Sequence, residues 1–225
     1  MTFARIRFSR SLALSICTLL LCSVTKGAFA TDYPARPRDE CLHVPGYVEM
    51  RNAFEDMVKR RDSKALQKWV YPSITLEIGG ADGKEEFYRS WHLGKGLNSP
   101  IWAQLEPLLR LGCYAESDRQ VMMPHMAILD PHWDADRISE KALVLGEQVN
   151  LRATAEKNSQ SRALLSWEFV KLGNDGIRPD WTFVTSKAGT SGYIRSSYLR
   201  AHLDYTIGFI RQGDVWFLNL MRAGD

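Results

Sequence analysis

Cysteine is scarce in this chain, and none of it is spaced for chemistry. Cys17, Cys22, Cys41 and Cys113 are the full set, with no CxxC pair among them. That absence removes the usual zinc-ribbon and thioredoxin-like frames. Also missing are GxSxG, a P-loop, GxGxxG and HExxH, and with them the common signatures of serine hydrolases, nucleotide binders and zinc proteases. A cysteine hydrolase needs a thiolate beside a histidine base. Cys113 is the one plausible nucleophile past the first forty-five residues, and it lacks a helix N-terminal setting.

Long hydrophobic runs are nearly absent too. The one apolar stretch of note, Ser11 to Val24, is the length of a signal-peptide core and short for a membrane span. Arg5, Arg7 and Arg10 precede it without an acid, and Ala28-Phe29-Ala30 follows as a small-x-small cleavage pattern. Residues 1–30 therefore read as a signal peptide cut after Ala30. Cys22 follows Leu21, where lipoprotein processing wants a small residue. The expected location is periplasmic or secreted, with no stable membrane span after cleavage.

Surplus charge is the next thing lacking. The whole chain holds 29 basic and 26 acidic residues. Residues 1–30 hold four of the basic ones and no acid, which leaves 25 against 26. A nucleic-acid footprint needs a positive surplus, so no nucleic-acid partner is expected. Cleavage also leaves two cysteines, Cys41 and Cys113. An even number in an exported chain points to one disulfide, with two buried thiols as the other reading.

What is present is a mixed pattern of elements, an α+β chain. Residues 31–45 are proline-rich and read as an irregular lead-in. Tyr47, Met50, Phe54, Met57 and Val58 fall at spacings of three and four, predicting a helix with one apolar face. Asp62 or Ser63 caps a second helix that Pro72 ends. Ile74 to Ile78 alternates as a strand, and Gly79 to Gly83 turns. Asp82 and Glu85 have capping-box spacing for a third helix from about Lys84 to His92. A fourth helix spans Ile101 to Leu109, bent at Pro107. This first α+β part is placed at residues 46–119, and 120–141 reads as a proline- and aspartate-bearing linker.

Residues 142–201 carry short strands at close spacing, which fits a small barrel. Residues 202–225 then form a β-hairpin about Gln212-Gly213. Two assignments stay open for it: return to the N-terminal part, or extension of the barrel.

VNLRATA at 149–155 and GYIRSSYL at 192–199 resemble the bacterial SH3-like (SH3b) domain, over about residues 142–201. Thr154-Ala155 stands where that family usually has Gly-Pro, and Tyr193 where it often has Trp. The flanking parts resemble the cone-shaped nuclear-transport-factor-like α+β domains, through Asp62, Trp69, Gly79, Gly80, Phe87, Trp91 and the ending GDVWFLNLMRAGD. That second resemblance implies that the hairpin returns to the first domain.

The SH3-like resemblance implies a peptide-binding groove between the first long loop and the barrel wall. Trp181, Tyr193 and Tyr198 would form its floor, with Asn150 and Glu156 at its rim. The cone-like resemblance implies a pocket to which Asp56, Glu77, Tyr88 or His92 would contribute. His125, Asp130, His132, Asp134 and Asp136 make the densest polar cluster, but their spacing fits no ligand frame, and no metal or other cofactor is expected. The reading that follows is an exported, non-catalytic envelope protein that binds a peptide or peptidoglycan fragment. The alternatives are an enzyme or small-ligand binder using the cone pocket, and an immunity or inhibitor partner of another envelope protein.

Overall fold

The helical face read from the N-terminal spacing is what the first core is built on. In the computed structural model, which describes Tyr33 and residues 35–76, 82–125, 139–201 and 203–223, helix α1 (Tyr47–Lys59) buries Tyr47, Met50, Phe54, Met57 and Val58. The signal-peptide segment lies outside the described residues, as do Glu77, Gly79, Gly80, Asp130, His132, Asp134 and Asp136. Helix α2 (Ser63–Trp69) starts at Asp62, whose carboxylate accepts from the Ala65 N–H at 3.0 Å. Helix α3 (Lys84–Ser90) and α4 (Ile101–Leu108) follow, the latter with Pro107 inside its last turn.

The capping box expected at Asp82 does not form. Gly83 is the N-cap of α3 and makes no side-chain cap. Asp82 instead accepts from the Leu76 N–H at 2.8 Å. Its carboxylate ties Asp82 to the residue after β1 rather than capping the helix start.

These helices pack on a five-stranded sheet in the order β1-β12-β11-β3-β2. Its strands are β1 (Val70–Thr75), β2 (Tyr114–Ser117), β3 (Gln120–Met123), β11 (Thr206–Gln212) and β12 (Val215–Arg222). The C-terminal hairpin thus returns to the N-terminal part. β12 pairs parallel with β1, and β11 pairs antiparallel with β3 along Ile207–Met123 to Ile210–Gln120. Phe209 is fully buried, and its ring meets Phe54 edge-on at 4.9 Å. Residues 120–123 are therefore a buried strand and not the expected linker. The burial of Val121 and Met123 explains why the stretch is apolar.

The seven remaining strands make a second sheet in the order β10-β4-β7-β8-β9-β5-β6. They are β4 (Lys141–Val144), β5 (Val149–Arg152), β6 (Ser161–Leu165), β7 (Phe169–Leu172), β8 (Trp181–Thr185), β9 (Ser191–Arg195) and β10 (Leu199–Ala201). Between β4 and β5 the chain turns, with Gly146 and Gln148 at positive φ. End strands β10 and β6 each have a single neighbour, so this sheet is open rather than a closed barrel. Its core is Ala142, Val144, Leu151, Val170, Val184 and Ile194. At Gly192 a side chain would meet the Arg152 carbonyl oxygen at 2.4 Å, so only glycine lets β9 approach β5.

Residues 32–225 form one unit. A small apolar cluster joins Ala35 of the lead-in and Leu111, just past α4, to Leu143 of β4, with Trp167 and Phe169 against it. Cys41 and Cys113 are disulfide-bonded and fully buried. Gly112, at φ 71°, lets the lead-in pass: a Cβ there would lie 2.0 Å from the Arg38 carbonyl oxygen. Asp39 then accepts from the Tyr47 hydroxyl at 3.0 Å and from the Arg51 guanidinium at 2.7 Å. Burial, and next the Asp39 carboxylate, push the Tyr47 phenol far above its usual range, so it remains a donor. No helix among the described residues is long and apolar enough to cross a membrane.

Candidate functional site

Alternation along β8 and β9 decides which aromatic rings reach solvent. Thr182, Val184, Gly192 and Ile194 point inward, and Trp181, Phe183, Tyr193 and Arg195 point outward. The register pairs Trp181 with Arg195 and Phe183 with Tyr193. The Arg195 guanidinium lies 4.8 Å from the centre of the Trp181 ring, a cation–π contact. Phe183 and Tyr193 meet edge-on at 5.2 Å.

Beside this ladder the chain makes a single helical turn, Ser196–Tyr198. It is pinned from beneath. The buried Ser196 and Thr182 hydroxyls share a hydrogen bond of 2.9 Å, and the Ser196 N–H donates to Asp180. The Tyr198 carbonyl accepts from the Leu145 N–H at 2.8 Å. With its backbone held on both sides, Tyr198 is 47% exposed.

A groove of about 440 Å³ opens between this turn, the start of β5 and the β5–β6 loop. Trp181, Tyr198 and Asn150 line it, together with Arg152, Lys157 and Arg195. Its volume lies within the range of ordinary ligand sites. Half-buried Trp181 gives a flat apolar wall, the phenol of Tyr198 gives an apolar face with a polar tip, and the Asn150 amide can both donate and accept. Among the described residues the one acid in the groove's lining is Glu147, which is 3.2 Å from Arg36 and already paired. Arg152 donates to the Ser159 carbonyl at 2.7 Å, which braces the β5–β6 loop.

Three of the five expected binding residues therefore meet in one place: Trp181, Tyr198 and Asn150. Tyr193 lies outside the groove lining, two residues along the same face of β9 and packed on Phe183. Glu156 is exposed on the β5–β6 loop, and its neighbour Lys157 takes the lining position. Arg152, Lys157 and Arg195 were missed. The signal for Arg195 was its spacing two residues after Tyr193 on a strand. Its partner across the sheet follows from register, which strand-by-strand reading leaves open.

The five-stranded sheet carries a second depression, of about 570 Å³, with Met50, Trp69, Arg211 and Trp216 in its wall. Arg211 and Trp216 are directly paired across β11 and β12. The Trp216 indole Nε1 and the Arg211 Nε are buried with no acceptor among the described residues. None of the described residues expected to line a pocket here is in that wall. Asp56 and His92 are exposed, Tyr88 donates to the Gln67 carbonyl at 3.1 Å, and Glu77 lies outside the described residues.

Of the acidic and histidine cluster only His125 is described. It is buried, with Nε2 2.9 Å from a Glu40 carboxylate oxygen. Among the described residues the one grouping of metal-type ligands is Asp39, Cys41 and Cys113, where the two sulfurs are already joined to each other. No family model, curated protein or solved structure matches this chain.

Proposed function

We propose that this chain is an exported, non-catalytic binding protein of the bacterial envelope, and that its seven-stranded module is SH3-like and binds a peptide or cell-wall fragment. The observation that carries this reading is the groove between the Ser196–Tyr198 turn and β5. There an exposed tyrosine on a pinned backbone stands beside a cation-backed tryptophan. A rigid aromatic surface with a polar amide at its edge suits peptide backbone, because little conformational freedom is lost on binding. The disulfide fits an oxidising compartment.

Co-sedimentation with purified peptidoglycan, followed by titration with its soluble fragments, tests the reading. Binding that Tyr198→Ala weakens while the fold is retained is the expected result. Unchanged binding by that variant, or no binding by the native protein, would overturn it.

A second reading, a small-ligand site on the α+β part, is favoured by one observation: the paired donors of Trp216 and Arg211, with no acceptor among the described residues. Binding of a small carboxylic acid such as octanoate that is lost in Trp216→Phe would favour it over the first.

A further inference from the structure

The charges around the β5–β9 groove are unbalanced in a chain that is otherwise close to neutral. Among the described residues Arg152, Lys157 and Arg195 line it, against one acid, Glu147. Glu147 does not offset them, because its carboxylate is engaged by Arg36 at 3.2 Å. Among the described residues no carboxylate pairs with Lys157 or Arg195. Arg195 is held by the Trp181 ring, which fixes the guanidinium over the aromatic wall but accepts none of its N–H groups in the ring plane. Arg152 spends one N–H on the Ser159 carbonyl and keeps its full positive charge. These cations come from three segments, β5, the β5–β6 loop and β9, and they converge on one groove.

Like charges brought together without counter-charges repel one another, so an anion entering the groove is favoured by all three. The aromatic wall sharpens this. A guanidinium stacked on tryptophan is oriented, and its forked donors match a carboxylate better than a freely moving lysine would.

We infer that the ligand of this groove is an acidic peptide, whose carboxylate is received by Arg195 and Lys157 while its backbone lies on Trp181 and Tyr198. This inference rests on the peptide-binding reading above and adds the charge class of the ligand. The carboxylate sits at the cationic side of the groove, and Asn150 is left for the peptide backbone.

The test uses the full-length mature protein and soluble fragments released from purified peptidoglycan. One portion is left untreated, and in the other the free carboxyl groups are converted to amides. Both are titrated by calorimetry at low and high salt. The expected result is about tenfold tighter binding of the untreated fragments, the scale of one charged hydrogen bond. That preference should shrink at high salt, since exposed charges are screened over a shorter range. It should also collapse in the double variant Arg195→Gln/Lys157→Gln, whose two sites are exposed and whose melting temperature should match the native protein. Tyr198→Ala should weaken both forms alike.

Equal binding of the acid and amide forms would overturn the inference while leaving the groove's peptide-binding reading standing. Binding of neither form would overturn that reading and the inference with it. A preference for the acid that survives in the double variant would place the anion elsewhere and overturn the inference.

Discussion

Arg195 lies with its guanidinium 4.8 Å from the ring centre of Trp181, directly across the β8–β9 ladder. The contact is a product of register. A slip of β9 by one residue against β8 would turn Arg195 toward the core and Ile194 outward, leaving Trp181 without its partner. The buried hydroxyl pair of Thr182 and Ser196, one step along, helps fix that register. The same residues therefore hold the sheet together and aim the groove.

Tyr198→Ala is expected to separate binding from stability. Tyr198 is 47% exposed, so loss of its ring should change folding stability by no more than roughly 0.5 kcal/mol. Binding should weaken by about 1–3 kcal/mol, in the range of an aromatic contact at an interface. Thermal melts and a fragment titration on one preparation read both. A large fall in melting temperature would mark the ring as packing.

The Cys41–Cys113 bond closes a segment of 72 residues. On the chain-entropy model such a link stabilises by about 4 kcal/mol. The variant Cys41→Ala/Cys113→Ala should therefore melt roughly 10 °C lower. The native protein under reducing conditions should shift the same way. Equal melting with and without reductant would contradict this.

Phe209 occupies the middle of the five-stranded sheet, between β3 and β12, and packs on Phe54 of α1. Phe209→Ala should cost about 3–5 kcal/mol through the cavity it leaves. Amide hydrogen exchange should show β3, β11 and β12 losing protection together. Strands β8 and β9, whose core is the separate Val184–Ile194 cluster, should keep more of theirs. Loss confined to the hairpin would mean that β3 does not depend on it.

Glu168 supplies a pH test. Burial raises its carboxyl above the ordinary 4.5, against the lowering effect of backbone N–H donors from Lys187 and Ser166. A raised folded-state value means that the folded protein binds more protons than the unfolded chain across that window. The stabilisation from protonated Glu168 is thus fully present below the ordinary value and is lost as pH rises through the raised one. Glu168→Gln should flatten the dependence of urea midpoint on pH in this range and raise it at neutral pH relative to the native protein. Parallel profiles for the two proteins would refute the assignment.

The local elements of this chain were largely written in its residues. The three-and-four spacing from Tyr47 to Val58 specified α1 because a helix must turn those side chains to one side. Asp62 marked the start of α2 through a bond to a backbone N–H three residues away. Alternation specified the final hairpin, and the even pair of cysteines past residue 30 pointed to the disulfide that forms. Tertiary structure decided the remainder. Asp82 bonds back to the Leu76 N–H just past the end of β1 and not along the helix, a choice the capping-box spacing alone does not settle. Residues 120–123 read as a linker until β11 arrived from almost ninety positions later to pair with them. Nothing in the local sequence singles out Arg195 and Lys157; register and loop placement set them in one groove with Trp181. Side-chain periodicity is a property of neighbouring residues, so the sequence carries it openly. Which strand lies beside which, and which charge is left without a partner, depends on contacts between residues far apart in the chain.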